Sequence, residues 1–169
     1  MMHDVEWRVR IGKWSTLEEQ RIAALGVLCE LLDDNVLVEH NSVGVPFLPN
    51  YPDLYISISH CRMAVAVAVG RCEPVGIDVE CRRHVNRMLS QRVCTEDEER
   101  VIEASQDSDM CFLQLWTRKE AVLKCKHTGI QGFDSLANAL YDERFVVKNI
   151  DCQSVDVVGA IAVPVTSLL

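Results

Sequence analysis

The chain has 169 residues, 49% of them hydrophobic and 25% charged, with a net charge of −8. That length allows one domain or two small lobes. The acidic balance argues against a general nucleic-acid binder, so any anionic ligand must be held by a local cluster of basic groups.

The N-terminal residues around His3-Asp4-Val5-Glu6 lack a basic start followed by an apolar core. No secretory leader is therefore expected, and a cytoplasmic location is. No apolar run is long enough to cross a membrane. Eight cysteines stand at 29, 61, 72, 81, 94, 111, 125 and 152. None are spaced C-x2-C or C-x4-C, so zinc-ribbon spacing is missing and reduced thiols are expected.

Val5-Glu6-Trp7-Arg8-Val9-Arg10-Ile11 alternates strictly, as a half-buried strand does. Thr16 followed by Glu19 resembles a capping box and opens a helix. Ile22, Leu25, Leu28, Cys29 and Leu32 repeat along it at helical spacing, and Asp33-Asp34-Asn35 ends it. Val36-Leu37-Val38 reads as a short strand. Asn41 to Asn50 reads as loop, broken by Gly44, Pro46 and Pro49. Leu54 to Ser59 alternates again, and Met63 to Val69 has the small and β-branched residues of a strand buried on both faces. Ser59-His60 closes the first of these strands. A strand end can offer a hydroxyl, an imidazole and backbone N–H groups to a phosphate, or can simply satisfy itself in a turn.

Val75-Gly76-Ile77-Asp78-Val79-Glu80 reads as a strand. Residues two apart share a face, so Asp78 and Glu80 project together. Adjacent carboxylates repel unless the face is open to solvent or a hard cation such as Mg²⁺ sits between them. Arg82, Arg83, Arg87 and Arg92 follow as a basic run. Thr95-Glu96-Asp97-Glu98 caps a short helix.

Trp116 to Lys124 is built of good helix formers, with Gly129 as the stop. Trp116, Glu120 and Lys124 stand at i, i+4 and i+8 on one face. That is either a surface Glu-Lys pair, contributing about 0.3–0.5 kcal/mol, or a carboxylate and an ammonium placed for chemistry. Beyond Gly132, Arg144 to Ile150 and Val155 to Val163 read as a pair of strands.

Gly76-Ile77-Asp78-Val79-Glu80 followed by Trp116-Thr117-Arg118-Lys119-Glu120-Ala121-Val122-Leu123-Lys124 resembles the paired G-I-D-x-E and W-x-x-K-E-A-x-x-K signature of the 4′-phosphopantetheinyl transferase superfamily. Ile56 to His60 is similar to the S-H segment of its two-lobed, surfactin-type branch. Val43 to Pro49 is similar to that branch's G-K-P-x-x-P loop, with Val45 where Lys is usual. The N-terminal lobe is short for that branch.

The resemblance implies an α+β fold of two similar small lobes, a pseudo-dimer with the active site between them. The lobes would be residues 1–72 and 73–169, the second carrying the metal motifs. It implies a holo-[acyl-carrier-protein] synthase type transferase. Such an enzyme moves the phosphopantetheine arm of coenzyme A to a serine of an apo acyl or peptidyl carrier protein and releases adenosine 3′,5′-bisphosphate. By the same resemblance, Asp78, Glu80 and Glu120 match Mg²⁺ ligands. Glu120 and Lys124 match catalytic residues, Glu120 as the base, directly or through water. Ser59, His60, Gly44, Pro46 and Lys124, with Lys119 a weaker candidate, match positions that hold coenzyme A. Arg21, Arg8 and Arg10 are what remains near the 3′-phosphate. The expected state is a monomer with no nucleic-acid or membrane partner. The arginine run, with Met88 or Leu89, is the expected carrier-docking patch, unless it pairs with Glu96, Asp97 or Glu98. Two other readings are a diverged binder of coenzyme A or carrier protein without catalysis, and an unrelated Mg²⁺ phosphohydrolase.

Overall fold

The computed structural model describes residues 5–127 and 136–165. The Gly129 stop signal and Gly132 lie outside them. Among the described residues the fold is α+β, with four α-helices and three small sheets.

β1 (Val5–Ile11), β4 (Leu54–His60) and β5 (Ala64–Arg71) form an antiparallel sheet in the order β1-β5-β4. β5 is central and buried on both faces from Ala64 to Val69. Its valines point one way, onto Ala24, Val27 and Leu28 of α1 (Leu17–Leu32). Its alanines point the other way, onto the second large sheet. That sheet holds β6 (Gly76–Cys81), β7 (Phe145–Asn149) and β8 (Val157–Pro164) in the order β6-β8-β7. Ile77 and Val79 of β6 face the alanines, while the opposite face of the sheet packs on α4 (Ser108–Cys125). The layers therefore run helix, sheet, sheet, helix, and the alanines let the two sheets approach closely. Both sheets repeat one connection: a strand, then helix, then a hairpin whose last strand inserts in the middle.

The expected capping box of α1 is formed: Thr16 Oγ1 accepts from Glu19 N, and Glu19 Oε2 accepts from Thr16 N. Thr95 and Glu98 form a second one on α3 (Glu96–Ala104). The packed stripe of α1 differs from the expected one. Ile22 is 64% exposed, and the buried residues are Gln20, Ala24, Val27 and Leu28. Val36-Leu37-Val38 is not a strand; the pairing falls one step later, in a two-residue hairpin of β2 (Glu39–His40) and β3 (Pro46–Phe47). The side chain of Asn41 ties that hairpin by accepting from Val43 N and Val45 N. A short helix, α2 (Arg87–Val93), starts at an Asn86 cap and was not legible in the sequence. Among the described residues no helix is long and apolar enough to cross a membrane.

Candidate active site

The site grows from one close approach. A Cβ on Gly76 would lie 1.9 Å from Ala121 O and 2.6 Å from Cys125 N, so only glycine lets α4 rest directly on β6. With the helix seated there, Glu120 and Lys124 are delivered to the strand face that carries Asp78 and Glu80.

Lys124 Nζ donates to Asp78 Oδ1 at 2.7 Å and to Ile77 O at 3.2 Å. It also reaches Ile58 O on β4, 3.5 Å away. Ser59 Oγ donates to the same Asp78 Oδ1 at 2.7 Å and accepts from Val79 N. Ser57 Oγ accepts from Ile77 N. Two serine hydroxyls of β4 thus stitch it to β6 where no backbone ladder joins the sheets. Asp78 Oδ2 is buried and has no hydrogen-bond partner.

Glu120 is 5% exposed and Asp78 6% exposed. Burial first, then the charges of Asp78 and Glu80, push the Glu120 carboxyl up to about 7, with Lys124 opposing. Burial and Asp78 also raise Glu80, against Arg83, whose guanidinium is 3.5 Å from Glu80 Oε1. The three carboxyl groups therefore act on one another. Among the described residues, however, no three His, Cys, Asp or Glu side chains are gathered tightly enough to hold an ion as they stand. Lys124 and Arg83 take part of the role a cation would have. An orphaned buried oxygen on Asp78 and an all-carboxylate donor set suit a hard, oxygen-seeking cation.

Beside this cluster is a cavity of about 810 Å³. Gly44, Val45 and Pro46 line one side of it, and Arg21, Leu25, His60 and Lys124 line others. His40 and His127 also line it; the sequence reading had not singled them out. His60 Nδ1 is 2.9 Å from Gln20 Oε1. Burial, then Lys124 and Arg21, hold the His60 imidazole below its ordinary range.

Four sets of expected residues are placed differently from the simple picture. Lys119 does not face the cavity. It is 0% exposed and donates to Val93 O, Leu136 O, Ala137 O and Glu98 Oε2 on the far side of α4. Ser59 is not among the residues lining the cavity; its hydroxyl is spent on Asp78 and Val79. Arg8 and Arg10 both pair with Glu30, leaving Arg21 as the one of the three that reaches the cavity. The arginine run is not a free basic patch. Arg82 pairs with Asp107 and Asp156, Arg83 with Glu80, and Arg87 with Glu103. These partners of Arg82, Arg83 and Arg87 do not include Glu96, Asp97 or Glu98.

Residues 74–153 match the model of the family described as the 4′-phosphopantetheinyl transferase superfamily. Two curated proteins are similar. The 4′-phosphopantetheinyl transferase psf-1 of Bacillus pumilus is 26% identical over 113 residues, which cover 65% of this chain and 48% of that protein. The 4′-phosphopantetheinyl transferase Sfp of Bacillus subtilis (strain 168) is 27% identical over 103 residues, which cover 59% of this chain and 46% of that protein. The chain spans about half the length of the curated relatives it matches.

Proposed function

We propose that this chain, related to the 4′-phosphopantetheinyl transferase superfamily through residues 74–153, transfers the 4′-phosphopantetheine arm of coenzyme A to a serine of an apo acyl or peptidyl carrier protein. A subtype acting on acyl carrier protein, of the holo-synthase kind, is included. The observation that carries this reading is the Lys124–Asp78 pair at 2.7 Å, which joins the two signature segments across 46 positions. It supports a centre built from both motifs and not two unrelated surface features.

The reaction is attack by a serine hydroxyl on one phosphorus of a pyrophosphate, with adenosine 3′,5′-bisphosphate leaving. It needs charge neutralisation, in-line positioning and removal of one proton. Asp78, Glu80 and Glu120 would hold Mg²⁺, whose chemistry there is to neutralise pyrophosphate charge. Ser59 fixes one oxygen of Asp78 and leaves Oδ2 for that cation. Lys124 offers a point charge where the cavity meets the carboxylates. Glu120 would accept the serine proton, directly or through water; its carboxyl is pushed up to about 7 in the metal-free fold, and a cation held beside it would draw it back down. The adenine end would lie in the cavity beside Arg21 and His60, over the Val45 loop.

Under this proposal residues 1–72 and 73–169 are two lobes of a pseudo-dimer with the site between them. The repeated strand order and the serine stitching of β4 to β6 support it. The protein would work as a cytoplasmic monomer without nucleic acid or membrane. The deciding experiment incubates it with coenzyme A, Mg²⁺ and a panel of apo-carriers and reads intact mass. A carrier gaining the arm only with active protein supports transfer.

One observation favours a second reading, a non-catalytic binder of coenzyme A or carrier. The nucleotide end is poor in cations, with Val45 apolar and both Arg8 and Arg10 tied to Glu30. Coenzyme A binding without transfer to any carrier would select it.

A further inference from the structure

Gln20 is a polar residue on the buried stripe of α1, 9% exposed, among Ala24, Val27 and Leu28. A helix packing on a sheet has apolar choices at such a position, and a buried amide must find a partner or lose stability. The partner of its carbonyl oxygen is His60 Nδ1, at 2.9 Å. The ring also hydrogen-bonds the backbone of His60 itself, and the residue lines the cavity. Nδ1 is thus tied to the helix on a ring that lines the cavity.

We propose that Gln20 is a positioning residue that accepts the Nδ1–H of His60 and thereby turns Nε2 into the cavity, so that any further proton on the ring is presented to a bound phosphate group. The proposal rests on the nucleotide reading of the cavity and adds to it a tautomer and a proton. An oxygen acceptor at Nδ1 is compatible with the neutral ring protonated at Nδ1 and with the imidazolium, but not with the other neutral tautomer. Lys124 from α4, Arg21 from α1 and Asp78 from β6 act on the ring through their charges, and His40 and His127 share the cavity with it. Burial and the two cations hold the imidazole below its ordinary range, against a hydrogen bond to the residue's own backbone and the charge of Asp78. A phosphate group in its dianionic form, the main form at pH 7 to 8, can only accept. Its binding to Nε2 therefore requires the ring to take up one proton from solvent, the imidazolium then donating from both nitrogens.

The test uses the whole protein and adenosine 3′,5′-bisphosphate as probe. In the free protein, long-range ¹⁵N spectra of labelled histidine should show His60 protonated at Nδ1 and bare at Nε2 near pH 8. The opposite tautomer overturns the proposal. Calorimetry in buffers of different ionisation enthalpy should show proton uptake on binding between pH 7 and 8, and none in His60→Ala. Gln20→Leu, similar in size, should weaken binding about three- to tenfold, the worth of one positioned hydrogen bond. Gln20→Glu puts a carboxylate against Nδ1. It should raise the pH at which His60 titrates, cut the proton uptake and make binding stronger than Gln20→Leu at pH 8, a shift that a purely structural role would not produce. Wild-type binding that Gln20→Leu and Gln20→Glu leave unchanged overturns the positioning alone. No binding by the wild type overturns the nucleotide reading, and the phosphate role of His60 with it.

Discussion

Lys119 and Lys124 sit five residues apart on α4 and have opposite fates. Lys119 is fully buried and fills its hydrogen-bonding capacity with three carbonyl oxygens and Glu98. It holds the C-terminal end of α2, the capping box of α3 and the segment at Leu136 and Ala137 against the helix. Lys124 is partly exposed, bridges β4 and β6, and faces both the carboxylates and the cavity. One lysine is a fixed structural staple and the other keeps a charge at the edge of solvent. Residue type alone does not separate them; what separates them is the stripe of the helix each stands on.

The sharpest way to break this contrast is to remove each ammonium in turn. Lys124→Met should lower transfer per folded molecule by about a hundredfold or more, because a charge facing the pyrophosphate is lost in a partly desolvated site. Its thermal midpoint should fall less than that of Lys119→Met, because Lys124 is partly exposed and Ser59 keeps one Asp78 oxygen hydrogen-bonded. Lys119→Met should behave in reverse: it strands Glu98 and three buried carbonyls, costing about 3–5 kcal/mol of stability. The folded fraction should keep near wild-type turnover. Thermal melts combined with turnover per active molecule decide it, and equal loss of stability in both variants would abolish the distinction.

Glu120 sharpens the contrast from the carboxylate side. Its folded value of about 7 lies above the usual 4.5, so the protonated form is the one the metal-free fold favours. The contribution to stability is full below about pH 4.5 and is lost as pH rises through about 7. The loss amounts to about 3 kcal/mol above pH 7 for that displacement from 4.5 to about 7. Glu120→Gln should therefore stabilise the metal-free protein at pH 8 by roughly 6–12 °C and remove this step from the stability profile. It should also abolish transfer. A melting midpoint at pH 8 that does not rise would mean Glu120 is not strained by its neighbours.

Much of this was legible, and the failures have physical causes. The capping boxes at Thr16 and Thr95 declared two helices because side-chain caps are local chemistry. The alternation of β1 and β4 declared two strands because the period of two marks a half-buried face, and the small and β-branched run of β5 declared a third. Glu120 and Lys124 were placed together by spacing alone. Lys119 was misplaced, although Leu115, Lys119 and Leu123 stand at i, i+4 and i+8 on an apolar stripe, which marks that lysine as inward-facing. Gln20 carried the same signal, one polar residue on the stripe of Ala24, Val27 and Leu28. Ile22 misled because apolar residues surround α1 on more than its packed side. The seven residues of α2 show no periodic stripe long enough to read. The pairing of the arginines depends on Asp107, Glu103 and Asp156, distant in sequence, and no local pattern reports it.

The smallest expected effect lies at the other end of the cavity, where the loop is built without a cation. Val45 is half-buried and lines the cavity. Its backbone is held in place: Val45 N donates to Asn41 Oδ1, and Gly44 takes a φ of 83°, which β-branched residues avoid. A lysine at position 45 would therefore start from a fixed Cα beside the cavity, with a stem long enough to keep its ammonium at the solvent edge. Val45→Lys should lower the apparent Michaelis constant for coenzyme A without changing turnover. The contact is partly solvated, so it contributes about 0.5–1 kcal/mol, a two- to fivefold change. Because the charge is near the surface, the gain should shrink as salt is raised. Steady-state kinetics at low and high ionic strength read both features. An unchanged constant, or a gain indifferent to salt, would place the nucleotide away from this loop. Lys124 would then be the main cation the ligand meets, and the contrast between the two ends of the site would widen.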